Sequence, residues 1–248
     1  MKIGSDIKYY EKVSSTNEVA AQLLSERKAA HGTVISASFQ TRGKGQRNNK
    51  WHSEALKNLT MSIILHPTTL DPALQFYISG IISIAVAESL EAFSNEISIK
   101  WPNDIYHVND KIAGILIEHS IIGNKISSSI CGIGININQV YFPEGLPNPT
   151  SLKLLTGKSF NVHTIEKSIF DSLNRWFDIL INKQFGLIDS NYTRRLYKYG
   201  EMTKFRAENV EFFGKISGVN NSGQLQITTS EGINKTFSFK EVEYILPD

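Results

Sequence analysis

The amino-acid sequence predicts an α+β protein, with strands and long helices in a larger domain and a small antiparallel β-barrel after it. Two long segments have apolar residues at helical spacing, and strand-like segments lie between them. From about residue 199, short strands alternate with turns, which is typical of a small barrel. We therefore expect a larger domain at 1–198 and a smaller one at 199–248, and 248 residues suffice for both.

Composition narrows the function classes. The net charge of +2, from 26 Lys and Arg against 24 Asp and Glu, is too balanced for bulk nucleic-acid binding. The single cysteine, Cys131, excludes an intramolecular disulfide and is expected to be a buried structural thiol in a reducing cytoplasm. No apolar run approaches the roughly 18–20 residues of a membrane span, and the first six residues lack a signal segment. We therefore expect a cytoplasmic protein with no membrane partner.

The larger domain begins with residues 15–18, which have the S-x-x-E form of a capping box and predict a helix start. Strands are predicted at 33–39, 59–65, 96–101, 112–118 and 126–137. Helices are predicted at 74–93 and 163–183. The loop at 40–58 is long for a compact domain, and such loops are usually functional or disordered.

The smaller domain is predicted from four short strands that alternate with turn residues. These strands are expected at 204–207, 211–219, 224–229 and 234–239. Asn221-Ser222-Gly223 and Glu231-Gly232 supply two of the turns between them.

Four segments hold the candidate site residues, since the phosphate-loop, H-E-x-x-H and G-x-S-x-G motifs do not occur. The first segment is Ser15, Thr16 and Asn17 at a helix start. Hydroxyls, an amide and free backbone N–H groups converge there, which favours a polar neutral or anionic ligand group. Simple N-capping is the alternative.

The second segment is a basic loop that contains two glycines and ends in a tryptophan. It reads Gln40-Thr41-Arg42-Gly43-Lys44-Gly45-Gln46-Arg47-Asn48-Asn49-Lys50-Trp51. The glycines allow close approach of the backbone, the basic residues can neutralise phosphate or carboxylate oxygens, and the indole can cover a ring. A solvated or disordered basic linker is the alternative.

The third and fourth segments are expected to share one cleft. Lys100-Trp101-Pro102-Asn103-Asp104 follows a strand, and its carboxylate could hold Mg²⁺ or orient a hydroxyl, or the segment is only a turn. Lys111 opens the next strand, seven residues after Asp104. Gly114 on that strand and Gly132 and Gly134 on its neighbour suggest that a flat group lies on the sheet.

Five motifs in order resemble the biotin protein ligase family, and the resemblance covers nearly the whole chain. The motifs are Ser-Thr-Asn, the Gly-Lys-Gly…Lys-Trp loop, Lys-Trp-Pro-Asn-Asp, Lys-x-x-Gly-Ile-Leu-x-Glu and Gly-Ile-Gly-Ile-Asn. The resemblance implies a catalytic domain of the biotin/lipoate protein ligase type at 1–198, with helices packed on a mixed β-sheet, and an SH3-like β-barrel at 199–248. Because the chain begins almost at Ser-Thr-Asn, it also implies a monofunctional ligase without the family's N-terminal DNA-binding domain, and so no DNA partner.

The resemblance implies two half-reactions. Biotin and MgATP give biotinyl-5′-AMP and pyrophosphate, and a lysine of a carboxylase's biotin-carrier domain then attacks the mixed anhydride. Lys111, Lys44 and Arg47 are implied as catalytic, because joining two anions needs a cationic site. Biotin is implied to contact Ser15, Thr16, Asn17, Gln40, Lys44, Gly45, Gln46, Lys111, Gly114, Gly132 and Gly134. ATP is implied to contact Arg47, Trp51, Lys100, Asn103, Asp104 and Asn136, with Asp104 also able to contact Mg²⁺.

Three alternatives stay open from the sequence. Many relatives read Gly-Arg-Gly-Arg in the loop, whereas here Gly45 is followed by Gln46 and Arg47, so either side chain could face the ligand. A lipoate or octanoate ligase or transferase shares the superfamily, although the polar Ser-Thr-Asn site suits a ureido ring better. A non-catalytic biotin-sensing module is a further alternative. The expected oligomeric state is monomer or homodimer.

Overall fold

The fold is described from a computed structural model of the chain, in which residues 1–46 and 49–245 are described. Its main sheet has seven strands in the order β1-β2-β3-β7-β6-β5-β4. The strands are β1 Asp6–Val13, β2 Thr33–Gln40, β3 Leu59–Leu65, β4 Ile97–Lys100, β5 Asp104–His107, β6 Asp110–Ile122 and β7 Lys125–Ile135. β1 and β2 run parallel and the other neighbours antiparallel, so the sheet is mixed, as predicted.

Helices cover both faces of the main sheet. They are α1 Thr16–Ser25, α2 Phe76–Glu91, α3 Leu152–Thr156, α4 Val162–Ile181 and α5 Phe185–Thr193. Strand side chains alternate between the faces. On β2, Ile35 packs with Ala20 of α1, whereas the neighbouring Val34 belongs to the larger core beneath α2 and α4. The face beneath α1 also carries the candidate site.

One helical segment is longer and more apolar than was expected from the sequence. Pro72–Glu91, a short 3-10 turn continued by α2, is long and apolar enough by length and composition to cross a membrane, with a mean hydropathy of 1.5. The expectation that no segment approaches such a span was therefore wrong. In the fold, 67% of this window is buried, against the sheet and α4. A helix that is apolar on all sides is typical of the centre of a core.

The C-terminal region forms a second, five-stranded antiparallel sheet in the order β11-β10-β9-β8-β12. Its strands are β8 Thr203–Ala207, β9 Val210–Val219, β10 Leu225–Thr229, β11 Asn234–Phe237 and β12 Glu243–Ile245. Over the described residues this sheet is open, so the antiparallel strands are confirmed and a closed barrel is not. Trp101 Nε1 donates to the Gly223 carbonyl at 2.9 Å and so ties this sheet to the turn after β4.

The predicted helices and all nine predicted strands are present, and five further elements were missed. These are β1, β5, α3, α5 and β12. The prediction of a capping box at residues 15–18 was also wrong, although the helix does start there. Ser15 is the N-cap of α1, but its side chain makes no capping hydrogen bond. The carboxylate of Glu18 instead accepts from Ser14 Oγ and pairs with Lys44.

Candidate active site

A cleft of about 740 Å³ opens on the α1 side of the main sheet, bounded by the basic loop and the second sheet. This volume is typical of a small-molecule site. The predicted residues that line it are Ser15, Thr16, Asn17, Gln40, Lys44, Gly45, Gln46, Trp51, Lys100, Asn103, Asp104, Lys111, Gly114, Gly132 and Gly134. Asn136 is buried at the end of β7 and is not among the lining residues. Arg47 lies outside the described residues.

The floor of the cleft is made by glycines on the paired strands β6 and β7. Gly114 stands opposite Gly134, and Gly132 stands opposite Leu116. A methyl group added at Gly134 would lie 2.6 Å from Trp51 Nε1 and 2.7 Å from its Cζ2. One added at Gly132 would meet Asn17 Oδ1 and lie 3.2 Å from its Cγ. The glycines are therefore needed because other side chains lie directly on the strands.

Trp51 lies across the glycine floor. Its Cζ3 would be 3.1 Å from a methyl group at Gly114, so the indole spans both opposed glycines. The indole N–H is buried and has no hydrogen-bond partner among residues 1–46 and 49–245. Although the resemblance placed Trp51 on the nucleotide side, the structure puts it on the surface that was assigned to biotin.

Lys111 lies beside this floor. Its Nζ is 2.7 Å from Asp104 Oδ1 and 6.0 Å from the centre of the Trp51 ring. The Lys111 backbone is held by Asn148 and Thr150, with N–O distances of 2.7 and 2.9 Å. The side chain therefore projects from a fixed backbone position. An amine and a carboxylate that are both partly exposed to the cleft can exchange partners when an anion enters it.

Lys100 occupies the end of the cleft nearest the second sheet. Its Nζ lies 3.0 Å from the Tyr106 hydroxyl, and 4.5, 5.8 and 5.2 Å from the ring centres of Tyr106, Tyr197 and Tyr244. Burial lowers the pKa of Lys100, and the nearby charge of Asp104 opposes that effect. The tyrosines stabilise the cation through their ring faces.

Two backbone hydrogen bonds join the two sides of the basic loop. Gly45 N donates to the Asn49 carbonyl at 2.7 Å, and Trp51 N donates to the Gly43 carbonyl at 2.9 Å. Lys44 Nζ lies 2.9 Å from Glu18 Oε1, which anchors the loop to α1. The hydrogen bond from Ser14, followed by Lys44, lowers the pKa of Glu18.

A buried polar pocket surrounds the start of α1. Gln40 Oε1 accepts from Thr16 N at 2.8 Å and lies 3.2 Å from Thr16 Oγ1. Ser62 Oγ lies 2.7 Å from Thr16 Oγ1 and 2.6 Å from Asn17 Oδ1. Asn17 Nδ2 donates to Glu118 Oε2 at 2.6 Å. The pocket therefore presents hydroxyl and amide groups that are already oriented.

Sequence reasoning missed Ser62 and left Glu118 without a role. Ser62 is fully buried in β3 between Met61 and Ile63. A polar residue at a buried strand position is a usable signal, because such groups require partners. Glu118 lies on β6 at the same parity as Gly114, so it faces the same side of the sheet.

A protein-only magnesium site is not indicated. The described residues contain no group of three or more His, Cys, Asp or Glu that could hold a metal ion. Magnesium at nucleotide sites is usually held by one or two carboxylates together with substrate phosphates. Asp104 can supply one such carboxylate, and Mg²⁺ would then arrive as part of MgATP.

The fold and the cleft define a class of protein, namely one with a small-molecule cleft in which lysine side chains and a polar pocket surround a glycine floor. A sequence model of the biotin/lipoate A/B protein ligase family matches residues 9–136. Because the match covers more than half of the chain, the protein belongs to the biotin/lipoate A/B protein ligase family.

Individual relatives agree with this assignment. The bifunctional ligase/repressor BirA of Bacillus spizizenii is 31% identical over 242 residues, which cover 95% of this chain and 73% of the relative. The biotin--[acetyl-CoA-carboxylase] ligase of Paracoccus denitrificans is 25% identical over 221 residues, which cover 86% and 91%. The solved structure of the biotin protein ligase from Aquifex aeolicus in complex with biotin and ATP gives a TM-score of 0.80 at 28% identity, covering 97% of this chain and 99% of that one.

Proposed function

We propose that this chain is a biotin protein ligase, which converts biotin and MgATP to biotinyl-5′-AMP and pyrophosphate and then transfers biotin to a lysine of a carboxylase's biotin-carrier domain. The relative and the solved structure that are named as biotin ligases support biotin over lipoate as the substrate. The structural observation that carries the proposal is the position of Lys111. Its amine lies beside the glycine floor, in one cleft with the polar pocket and the basic loop.

In the first half-reaction, a biotin carboxylate oxygen attacks the α-phosphorus of ATP, and the bond to the β-phosphate oxygen breaks. Two anions must approach each other, and charge builds on the transferring phosphoryl oxygens. A fixed amine at the junction stabilises that charge without reorganising solvent. Lys111 fits this role because its backbone is held on both sides and its side chain reaches the floor.

Binding of the other end of biotin is assigned to the polar pocket. The ureido ring has one carbonyl acceptor and two N–H donors, so it needs both donors and acceptors in fixed positions. Thr16 and Asn17 line the cleft at the start of α1 and supply a hydroxyl and an amide, and buried Ser62 of β3 contacts both side chains. An apolar pocket would not distinguish this ring from other cyclic acids, whereas unpaired buried polar groups strongly disfavour the wrong ligand.

In the second half-reaction, the ε-amine of the acceptor lysine attacks the biotinyl carbonyl, and AMP leaves with the electrons of the broken C–O bond. The acceptor supplies the nucleophile, so this chain needs none. Cys131 agrees with that assignment. It is fully buried on β7, and burial raises the pKa of its thiol, so it is a structural residue as expected.

Further features are part of the proposal. We assign residues 1–198 to the catalytic domain and 199–248 to a domain of SH3-like type, supported by the antiparallel strand order of the second sheet. Asp104 is assigned as a protein contact of Mg²⁺ in MgATP. The acceptor is the biotin-carrier domain of a biotin-dependent carboxylase. The protein is proposed to act in the cytoplasm, as a monomer or homodimer.

The proposal is tested by incubating the protein with labelled biotin, MgATP and a biotin-carrier domain and measuring label on the acceptor. We expect ATP-dependent labelling that is lost when the acceptor lysine is replaced by arginine. Lipoate in place of biotin should give no transfer. Transfer of lipoate but not biotin would overturn the assignment, and biotin binding without ATP-dependent pyrophosphate release would favour a sensing module.

A further inference from the structure

Glu118 lies outside the lining of the cleft, yet it hydrogen-bonds to a residue that forms part of it. Asn17 Nδ2 donates to Glu118 Oε2 at 2.6 Å, and this hydrogen bond joins α1 to β6 across the sheet. The contact depends on Gly132, because a methyl group there would collide with Asn17 Oδ1. The Asn17 amide therefore lies directly on the strand between Ser62 and Glu118, with little room to move.

The two neighbours of the amide have different hydrogen-bonding capacities. Ser62 lies 2.6 Å from Asn17 Oδ1, but a hydroxyl can donate or accept, so it would tolerate either end of the amide. An ionised carboxylate only accepts. Glu118 is therefore the group that requires the NH₂ end of Asn17 to face β6 and the carbonyl oxygen to face β3.

The orientation of this amide decides what the polar pocket presents to a ligand. With Nδ2 bonded to Glu118, Asn17 has its carbonyl oxygen at Ser62, and a carbonyl oxygen has two lone pairs, of which Ser62 can use only one. A ring N–H can donate to that oxygen. If the amide rotated by 180°, an NH₂ group would stand in its place, and two donors would face each other.

We propose that Glu118 is a positioning residue for biotin, which acts by fixing the Asn17 amide so that its oxygen accepts from a ureido N–H. This inference rests on the proposed function. It identifies Glu118 as a determinant of ligand specificity, with no direct contact to the ligand. A charge-assisted hydrogen bond of 2.6 Å suits this role because such bonds are the stronger and more directional ones.

The test is steady-state kinetics of biotin-dependent pyrophosphate release with Glu118→Ala, Asn17→Ala and the double variant. Glu118→Ala should raise the KM for biotin roughly tenfold or more, as expected for loss of one oriented hydrogen bond near a buried polar group. Its kcat and its KM for ATP should stay within about twofold of the unchanged protein. Glu118→Gln should recover most of the effect, because its amide oxygen can still accept from Asn17.

The double variant separates positioning from a structural role. If Glu118 acts through Asn17, adding Glu118→Ala to Asn17→Ala should change the KM for biotin by less than about twofold, since coupled residues are not additive. Glu231→Ala, an exposed glutamate in a turn of the second sheet, is the matched control and should behave as the unchanged protein. Thermal melts of each variant report folding.

The outcomes are distinguishable. Independent, multiplicative effects of the two substitutions, or an unchanged KM for biotin in Glu118→Ala, would overturn the positioning role while leaving the ligase assignment intact. If Glu118→Ala lowers the melting temperature, the Glu118→Gln variant decides, because a rise in its KM equal to that of alanine would also overturn the role. Absence of biotin-dependent pyrophosphate release in the unchanged protein would overturn the proposed function and this inference with it.

Discussion

Replacing Gly134 by alanine tests whether the glycine floor and Trp51 together form the biotin site. The added methyl carbon would lie 2.6 Å from Trp51 Nε1 and 2.7 Å from Cζ2, and the nearest atoms around it all belong to this indole. Ordinary contacts between such atoms are about 3.5–4.0 Å, so the indole must move away by about 1 Å. Gly134 has no positive φ, so alanine adds no backbone strain.

The expected magnitude follows from this displacement. Overfilling a packed contact by one methyl group costs about 1–3 kcal/mol. A ligand ring that takes the place of the indole on Gly134 would meet the same methyl. At about 1.4 kcal/mol per factor of ten, the affinity for biotin should fall roughly tenfold to a hundredfold. Global stability should change less, because the Trp51 indole N–H has no hydrogen-bond partner among the described residues that its displacement would break.

Two measurements check this reasoning. The first is the KM for biotin in pyrophosphate release. The second is tryptophan emission, which should shift to longer wavelength as the Trp51 indole leaves the floor, because Trp101 and Trp176 are each only 5% exposed and should not change. The emission shift should vanish when Gly134→Ala is combined with Trp51→Phe.

The matched control is Gly186→Ala on α5. A methyl group at Gly186 has no atom within 4 Å, and the residue lies in a helix, where alanine is favoured over glycine. This control should leave both the biotin KM and the emission unchanged. If Gly134→Ala gave an unchanged biotin KM and unchanged emission, the floor would not be the biotin site and the reasoning would be refuted.

Three further predictions follow from the same geometry. Lys111→Ala should lower the rate of adenylate formation by about 100-fold or more, because it removes a group that stabilises developing charge. Lys158→Ala, at an exposed lysine, is the control and should leave the rate unchanged. Near-normal pyrophosphate release by Lys111→Ala would contradict the role of Lys111. Asp104→Asn should lower kcat more than it changes the KM for biotin, because it removes the ion pair with Lys111 and leaves the polar pocket unchanged. A larger change in KM than in kcat would argue against the Lys111–Asp104 pair as part of the reaction site. Burial lowers the pKa of His31, His66 and His119 below the usual 6.5, so the unfolded chain takes up protons first as pH falls. The urea concentration at which half of the protein is unfolded should therefore be lower at pH 5.5 than at pH 7.5. The difference should be smaller in His119→Gln, and an equal midpoint at both pH values would refute this prediction.

Much of the fold could be predicted because the central strands and long helices have strong apolar patterns. β3 was predicted to the residue, and it is buried at every position. β1 was missed because Asp6–Val13 is an edge strand whose charged and half-buried residues give no clear alternation. The capping box is not formed because the Glu18 carboxylate has other partners, namely the neighbouring Ser14 hydroxyl and Lys44 of the basic loop.

The candidate site was predictable as a set of segments, whereas its internal contacts were not. Lys111 and Asp104 were expected in one cleft because they flank neighbouring strands, and they lie 2.7 Å apart. Nothing local to Trp51 indicates that it lies on Gly134, because that contact depends on how the loop folds back over the sheet. The Asn17–Glu118 hydrogen bond likewise joins residues 101 positions apart. Long-range side-chain contacts of this kind leave no periodic signal in the chain.

The three floor glycines are not equivalent, although the same role was predicted for all of them from the sequence. Gly132 makes room for Asn17, a side chain that the surrounding hydrogen bonds hold in place. Gly134 makes room for Trp51, whose indole N–H has no hydrogen-bond partner among the described residues. A methyl group at Gly132 would therefore disturb the hydrogen-bonded pocket, whereas one at Gly134 would disturb the contact of the indole with the floor. If biotin binds as proposed, its polar end therefore meets a surface held by hydrogen bonds, and its ring must displace the Trp51 indole from Gly134.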